Sequence, residues 1–293
     1  GAMELRHIRY ALAVAEDRHF SRAASRLHVS QSALSAQIRD LEKELGVELF
    51  NRNSRNVGLT AAGEVFVARS REVLGAVSRL VSDVSARSNE QVRLTVGTIT
   101  SAGRVDVGRA LADLTRRHPA INITARPYGS EVVIEGVRSG AIDVGIVGLA
   151  AGRLPKSFAA APLWSEPTAA FVAPDHRFAQ ASSIRLEDLR DHTLVDFASG
   201  SEARVQTDQA FAESQVPRGK TLEANSVDLI CSLTANGLGV GLLPQSMSAL
   251  HPELVCIPIT DAPHRIVHAI TEPTHSSALA REFVELLAAQ FAT

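Results

Sequence analysis

The hydrophobic pattern of the chain changes character at Val92, and that change constrains the fold more than any other feature. Before it, apolar residues recur at spacings of three and four, the period of helices packed on one face. After it, short apolar runs such as VRLTVG, INITARP and IDVGIV alternate with helical stretches such as VDVGRALADLTRRH and SEVVIEGVRSG. That alternation predicts strands joined by helices, and hence parallel α/β units. A helical N-terminal part followed by an α/β part is therefore expected. With 293 residues, 45% of them hydrophobic, the chain has material for more than one core.

The helical part divides further. Residues 4–17 place Leu5, Ile8, Leu12 and Ala15 on one helical face. Ser21 is positioned to cap a short second helix, RAASRL, and His28-Val29 forms a tight link. Ser30 then caps a third helix, in which Leu34, Ile38, Leu41 and Leu45 form an apolar stripe. Two helices across a short turn make a helix-turn-helix. The opposite face of the third helix carries Ser32, Ser35, Ala36, Arg39 and Lys43. Small residues near the helix start let a backbone approach base edges closely, and Gln31 can pair with adenine. Arg39 and Lys43 lie further along, where such a helix passes phosphates. The plain alternative is a solvated face on a structural helix. Next, VELFNRNSRNVGLT reads as a hairpin, or wing, exposing Arg52 and Arg55 at its polar tip. An arginine there gains from a narrow minor groove, although Arg52 has Glu48 as an alternative partner.

Thr60 is placed to cap a long helix reaching about Arg87. Phe66, Val73 and Leu80 repeat every seven residues, with Val77 and Val84 at the alternate positions, so this helix needs a partner, most simply its copy in a second chain. Residues 88–91, SNEQ, read as a hinge. The expected domains are 3–60, a winged helix-turn-helix; 61–91, a linker helix and hinge; and 92–293, two α/β lobes around a cleft. The first lobe takes about 92–163 and 267–293, the second about 164–266.

Charge and composition exclude several classes. No run of apolar residues is long enough for a transmembrane helix, and the N-terminus shows no signal peptide, so a cytoplasmic protein without membrane contact is expected. Gly1-Ala2 ahead of Met3 reads as a cloning remnant. The net charge of −2 conceals an asymmetry: residues 1–88 hold 13 Lys/Arg against 10 Asp/Glu. Cys231 and Cys256 are too few for a disulfide framework or a four-ligand zinc site, and both sit among apolar residues. The ten histidines lack a metal-ligand spacing, and GLGVG at 237–241 precedes a strand and so marks a turn. No metal or cofactor, and no catalytic constellation, is expected.

The cleft reading rests on hydroxyl residues that follow predicted strands. Thr100, Ser101, Ser130, Ser201 and Ser226 stand where helices begin, with Tyr128 and Phe197 at the ends of the same strands. Helix starts present free N–H groups, so several around one cleft would hold a small organic anion. Arg204, one turn beyond Ser201, would add a charge. For any single position the plain reading is a helix cap.

The run RHFSRAASRLHVSQSALSAQIRDLEKELGVELFNRNSRNVGLTAAGE closely resembles the DNA-binding domain of LysR-type transcriptional regulators, without a gap over nearly all of residues 4–64. VRLTVG, SGAIDVGIV and ANGLGVGLLP resemble that family's effector domain more loosely. The resemblance implies a winged helix-turn-helix, a linker helix and a periplasmic-binding-protein-like effector domain. It implies dimers that commonly pair into tetramers, and double-stranded DNA, a small-molecule effector and RNA polymerase as partners. It carries DNA reading to Gln31, Ser32, Ser35 and Ala36, and a wing contact to Arg55. Ser32 replaces the proline of many members, and Ala36 replaces a long polar residue. A sequence-specific, effector-modulated transcriptional regulator is thus expected. The rivals are a redox-sensing member of the same family, a solute-binding protein, and an α/β enzyme with an accessory DNA-binding domain.

Overall fold

A computed structural model of the chain describes residues 3–51, 57–88, 92–274 and 276–292. Contacts divide it into two compact units, Gly1–Asp83 and Val84–Thr293.

The first unit packs α1 (Leu5–Asp17), α2 (Phe20–Arg26) and α3 (Gln31–Leu45) against one another. Ala11, Ala23 and Ala24 are fully buried where these helices meet, because small side chains let the backbones approach. Around them lie Val14, Leu34, Ile38, Leu41, Leu49 and Phe50. The cap of α2 is His19, whose extended backbone lets Nδ1 accept from the Ser21 amide; Ser21 itself lies in the first turn. The tight turn before α3 puts His28 at φ 56°, a left-handed conformation that a non-glycine side chain adopts only when neighbours enforce it.

Ser30 caps α3 by accepting from the Ala33 amide, and Gly46 ends it at φ 69°. The expected apolar stripe is buried at Leu34, Ile38 and Leu41 but not at Leu45, which is 38% exposed. Glu42 takes the buried place in that turn, because its carboxylate accepts from the amides of Leu49 and Phe50 and pins the following segment. Strands β1 (Phe50–Asn51) and β2 (Gly58–Leu59) pair antiparallel as the base of the hairpin. Its tip, with Arg52 and Arg55, lies outside the described residues.

Helix α4 runs over Ala61–Ser88. The hydroxyl of Thr60 accepts from the Gly63 amide and donates to the Glu48 carbonyl, tying helix start to hairpin. A Cβ on Gly63 would collide with the Leu49 carbonyl. Of the expected seam, Phe66 instead packs within its own unit, against Ile8, Leu12 and Val67. Val73, Leu80 and Val84 are exposed in the single chain, at 42%, 62% and 61%. Of the expected hinge, Ser88 belongs to α4 and 89–91 lie outside the described residues.

The second unit begins with β3 (Arg93–Thr98), α5 (Val107–Arg117), β4 (Asn122–Pro127), α6 (Ser130–Ser139), β5 (Val144–Ala150) and β6 (Ala159–Val172). It continues with β7 (Leu194–Phe197), α7 (Glu202–Glu213), β8 (Thr221–Ala224), α8 (Val227–Ala235), β9 (Val240–Pro244), β10 (Val255–Pro258), β11 (His264–Thr271) and α9 (Ala278–Ala289). The strand order is β4-β3-β5-β11-β6-β9-β7-β8, with β10 also on β6.

Strands β3, β4 and β5 are mutually parallel, as are β7, β8 and β9, in keeping with the α/β alternation. Strands β6, β10 and β11 pair antiparallel, which departs from an all-parallel expectation. The cause is topological: the chain crosses between half-sheets along β6 and returns along β11, so these two run against their neighbours. Residues Ala159–Pro167 of β6 pair with β11, whereas Thr168–Val172 pair with β9 and β10. One strand thus belongs to both half-sheets, and each half carries a core on both faces, making two lobes. Among the described residues, no helix is long and apolar enough to cross a membrane.

Candidate DNA-contacting helix and effector cavity

On α3, Ser30, Gln31, Ser32, Arg39 and Lys43 are exposed, and Ser35 and Ala36 half-buried. The seven residues are brought together at the start and along one side of the helix. The Gln31 amide donates to Ser35 Oγ at 3.2 Å, and the hydroxyls of Ser30 and Ser32 lie 3.2 Å apart. Among the described residues neither Arg39 nor Lys43 has an ion-pair partner. This contrasts with Arg26 of α2, which is held by Glu16 and Asp17. The α3 face therefore presents free donors and free positive charge, as phosphate and base edges require.

In the second unit a cavity of ≈ 670 Å³ opens between the lobes. Its walls are the segments that follow β3, β4, β7 and β8, the carboxyl ends of the parallel strands, where open α/β sheets bind ligands. Thr100, Ser101, Tyr128 and Ser130 line it from the first lobe, and Phe197, Ser201 and Ser226 from the second. Arg204 does not. Its guanidinium is turned to Asp208 at 2.9 Å, Glu223 at 3.0 Å and the Phe197 carbonyl at 3.0 Å, so the expected cation is consumed by structure.

The hydroxyls are not equivalent. Ser130 Oγ both donates to the Gly148 carbonyl and accepts from the Gly148 amide. Ser201 Oγ donates to the Ala198 carbonyl and accepts from the Arg204 amide. Both have their bonding directions used by the chain itself. Ser226 accepts from the Leu229 amide, which leaves its O–H to donate outward. Thr100 and Ser101 do not begin a helix, contrary to expectation. Gly103, at φ 68°, makes a turn there, and α5 starts later, capped by Asp106.

The cavity's cation is Arg265, which sequence reading missed. It is 6% exposed, donates from Nη1 to Ser101 Oγ at 3.0 Å, and also binds the Ser101 carbonyl. Its Nη2 pairs with Glu166 Oε1 at 2.7 Å. Glu166 in turn accepts from the amide and hydroxyl of Ser246 at 2.8 and 2.9 Å. Burial pulls the Arg265 pKa down, and the carboxylate of Glu166 pushes it back up. Its Nε has no hydrogen-bond partner among the described residues. A Cβ on Gly148 would come within 2.8 Å of Nη1, so glycine leaves the space the guanidinium occupies. Asp196, also in the wall, is fully buried. Burial raises its pKa, against the opposing pull of Thr207 and Arg218, which bind it at 2.6 and 2.9 Å.

Both cysteines are free thiols in the second lobe's core. Burial pushes the Cys231 thiol up to about 11 and raises that of Cys256 as well. Neither has the lowered pKa of a reactive thiolate.

A helical face with unspent cations on one unit and a ligand-sized cavity in the other is the division of labour of a DNA-binding transcriptional regulator with an effector-binding domain. Residues 5–64 match the family described as "Bacterial regulatory helix-turn-helix protein, lysR family", and residues 87–292 that of the "LysR substrate binding domain". The chain is 33% identical over 268 residues to the uncharacterized HTH-type transcriptional regulator YnfL of Escherichia coli (strain K12), covering 88% of each chain. It is 32% identical over 252 residues to the HTH-type transcriptional regulator AlsR of Bacillus subtilis (strain 168), covering 85% of this chain and 82% of that one. Full-length OxyR from Pseudomonas aeruginosa, in a single-residue variant, is structurally similar, with a TM-score of 0.57 and 29% identity over 99% of this chain and 100% of that one. The chain belongs to the LysR family of transcriptional regulators.

Proposed function

We propose that α3 enters the major groove of double-stranded DNA. Gln31, Ser32, Ser35 and Ala36 read base edges there, and Ser30, Arg39 and Lys43, with Arg52 and Arg55 of the hairpin, contact the backbone and minor groove. The observation that carries this is the pair Arg39 and Lys43, exposed and without a counter-ion among the described residues beside an exposed Gln31. In this reading residues 3–60 bind DNA, and 61–91 dimerise the chain and connect to an effector domain over 92–293. The protein works in the cytoplasm as a homo-oligomer and acts on transcription by RNA polymerase. Gel shifts on specific and scrambled duplexes test the assignment. Gln31→Ala and Ser35→Ala should each weaken specific binding by about 1–3 kcal/mol and spare the scrambled duplex. Arg39→Ala and Lys43→Ala should weaken both alike and flatten the salt dependence. Equal loss on both duplexes for Gln31→Ala removes it from the base-reading set.

The cavity, in the same reading, binds a small organic anion. What supports it is Arg265 in the wall beside Ser101, with the O–H of Ser101 and of Ser226 left available to donate. An anion held there favours the closed form of the two lobes, and its differential affinity shifts the DNA-binding state. Thermal-shift screening of organic acids on wild type and Ser101→Val is the test. Stabilisation confined to neutral or cationic compounds, or equal in the variant, removes the anion site.

A further inference from the structure

We propose that the effector carries a cationic N–H group beside its anionic one, as an amino acid does, and that Glu131 is the acceptor that selects it. This rests on the anion reading of the cavity. The charged residues that line the cavity are Glu131, Asp196 and Arg265. Two of them are already compensated. Asp196 is held by Arg218, and Arg265 by Glu166. Glu131 has no cationic partner among the described residues. Its carboxylate accepts one hydrogen bond, Oε2 from the Glu202 amide at 3.2 Å.

That bond fixes where the charge stands. Glu131 is the second residue of α6 in the first lobe, and Glu202 opens α7 in the second. The side chain therefore reaches across the cavity from one lobe to the other. Glu202 lies beside it, but its own carboxylate is held by both Nε and Nη2 of Arg153. The cavity rim thus carries one exposed carboxylate without an ion-pair partner among the described residues, and its wall carries O–H donors at Ser101 and Ser226. A simple carboxylate would satisfy the donors and meet repulsion at Glu131. A simple amine would satisfy Glu131 and leave the donors unpaired. A zwitterion satisfies both, and a wall that penalises each half-match is how a site discriminates among similar ligands.

The experiment uses the full-length chain. The probes are the standard α-amino acids, each beside its des-amino or 2-hydroxy acid, and primary amines without a carboxylate. Thermal shift selects and titration calorimetry measures. An amino acid should stabilise more than its matched acid or amine. Glu131→Gln keeps an acceptor for the Glu202 amide but removes the charge. It should weaken that amino acid about two- to fivefold, the worth of one exposed ion pair, while the matched acid binds as well or better. Far-ultraviolet circular dichroism and the unliganded melting temperature of the variant establish that it folds. Matched acids that stabilise as well as amino acids overturn the proposal and leave the anion site standing. Discrimination unchanged in Glu131→Gln also overturns it. If no carboxylate compound stabilises the chain, the anion reading fails and this proposal with it.

Discussion

Arg153 and Glu202 meet in a two-point ion pair, Nε to Oε2 at 2.7 Å and Nη2 to Oε1 at 2.8 Å. Arg153 follows β5 in one lobe and Glu202 opens α7 in the other, so the pair fastens one side of the cavity. Gln206 adds a second tie one turn along α7, donating to the Gly148 carbonyl at 3.3 Å. Arg153→Ala should cost less than about 1 kcal/mol in global stability, because its side chain is 41% exposed. Hydrogen exchange at the first turn of α7 should nonetheless speed up, since the contact opposes local opening. Unchanged exchange there would mean that Gln206 and Glu131 hold the lobes without it.

The Arg265–Glu166 pair should behave differently because both members are buried, at 6% and 4% exposure. Glu166→Gln leaves a guanidinium without its counter-charge and should cost about 3–5 kcal/mol. Replacing the pair together, Glu166→Leu with Arg265→Met, should recover much of that stability and abolish the response to organic anions. Urea unfolding of the single and double variants measures this. A single variant no weaker than a surface substitution would show that Arg265 does not depend on Glu166.

The exposed row Val73, Leu80 and Val84 of α4 predicts association. Val77→Lys with Leu80→Lys should give a monomer by sedimentation and lose tight operator binding, because two half-sites can no longer be held at once. An unchanged sedimentation coefficient would mean that these residues are covered within one chain.

The histidines set an acid limit on stability. Burial lowers the pKa of His176, His192 and His268 below the ordinary 6.5, and neighbouring positive charge, Arg177 included, lowers the first two further. Between the folded and unfolded values the unfolded chain binds more protons, so stability rises with pH there. The contribution is complete above the unfolded value and is lost as the pH falls below it. The melting temperature should therefore drop as the pH falls through the unfolded value of about 6.5, and His176→Gln with His192→Gln should shrink the drop. A drop of the same size in that double variant would assign the acid loss to His268 or to carboxylates.

What the sequence made legible is what is decided locally. The spacing of Leu34, Ile38 and Leu41, the cap at Ser30 and the stop at Gly46 are written within one helix, and α3 follows them. The hydroxyls after strands likewise lead to the cavity, because the carboxyl ends of parallel strands converge whatever the side chains. Illegible features are those settled by distant partners. Arg265 donates to a serine 164 residues away, and nothing near it in sequence announces a buried cation. The same holds for Arg204, which reads as a free charge one turn from Ser201 until Glu223 and Asp208 appear beside it. The first half of β6 is hidden for another reason. Pro162 and Pro167 interrupt AAAPLWSEP, and only pairing with β11 makes it a strand.

Because β6 is one strand of fourteen residues shared by both half-sheets, the lobes are not separable bodies on a linker. Melting either lobe strips hydrogen-bond partners from a backbone that the other needs in register. The effector unit is therefore a single cooperative element, and what stabilises one wall of its cavity is felt along the common strand by the other.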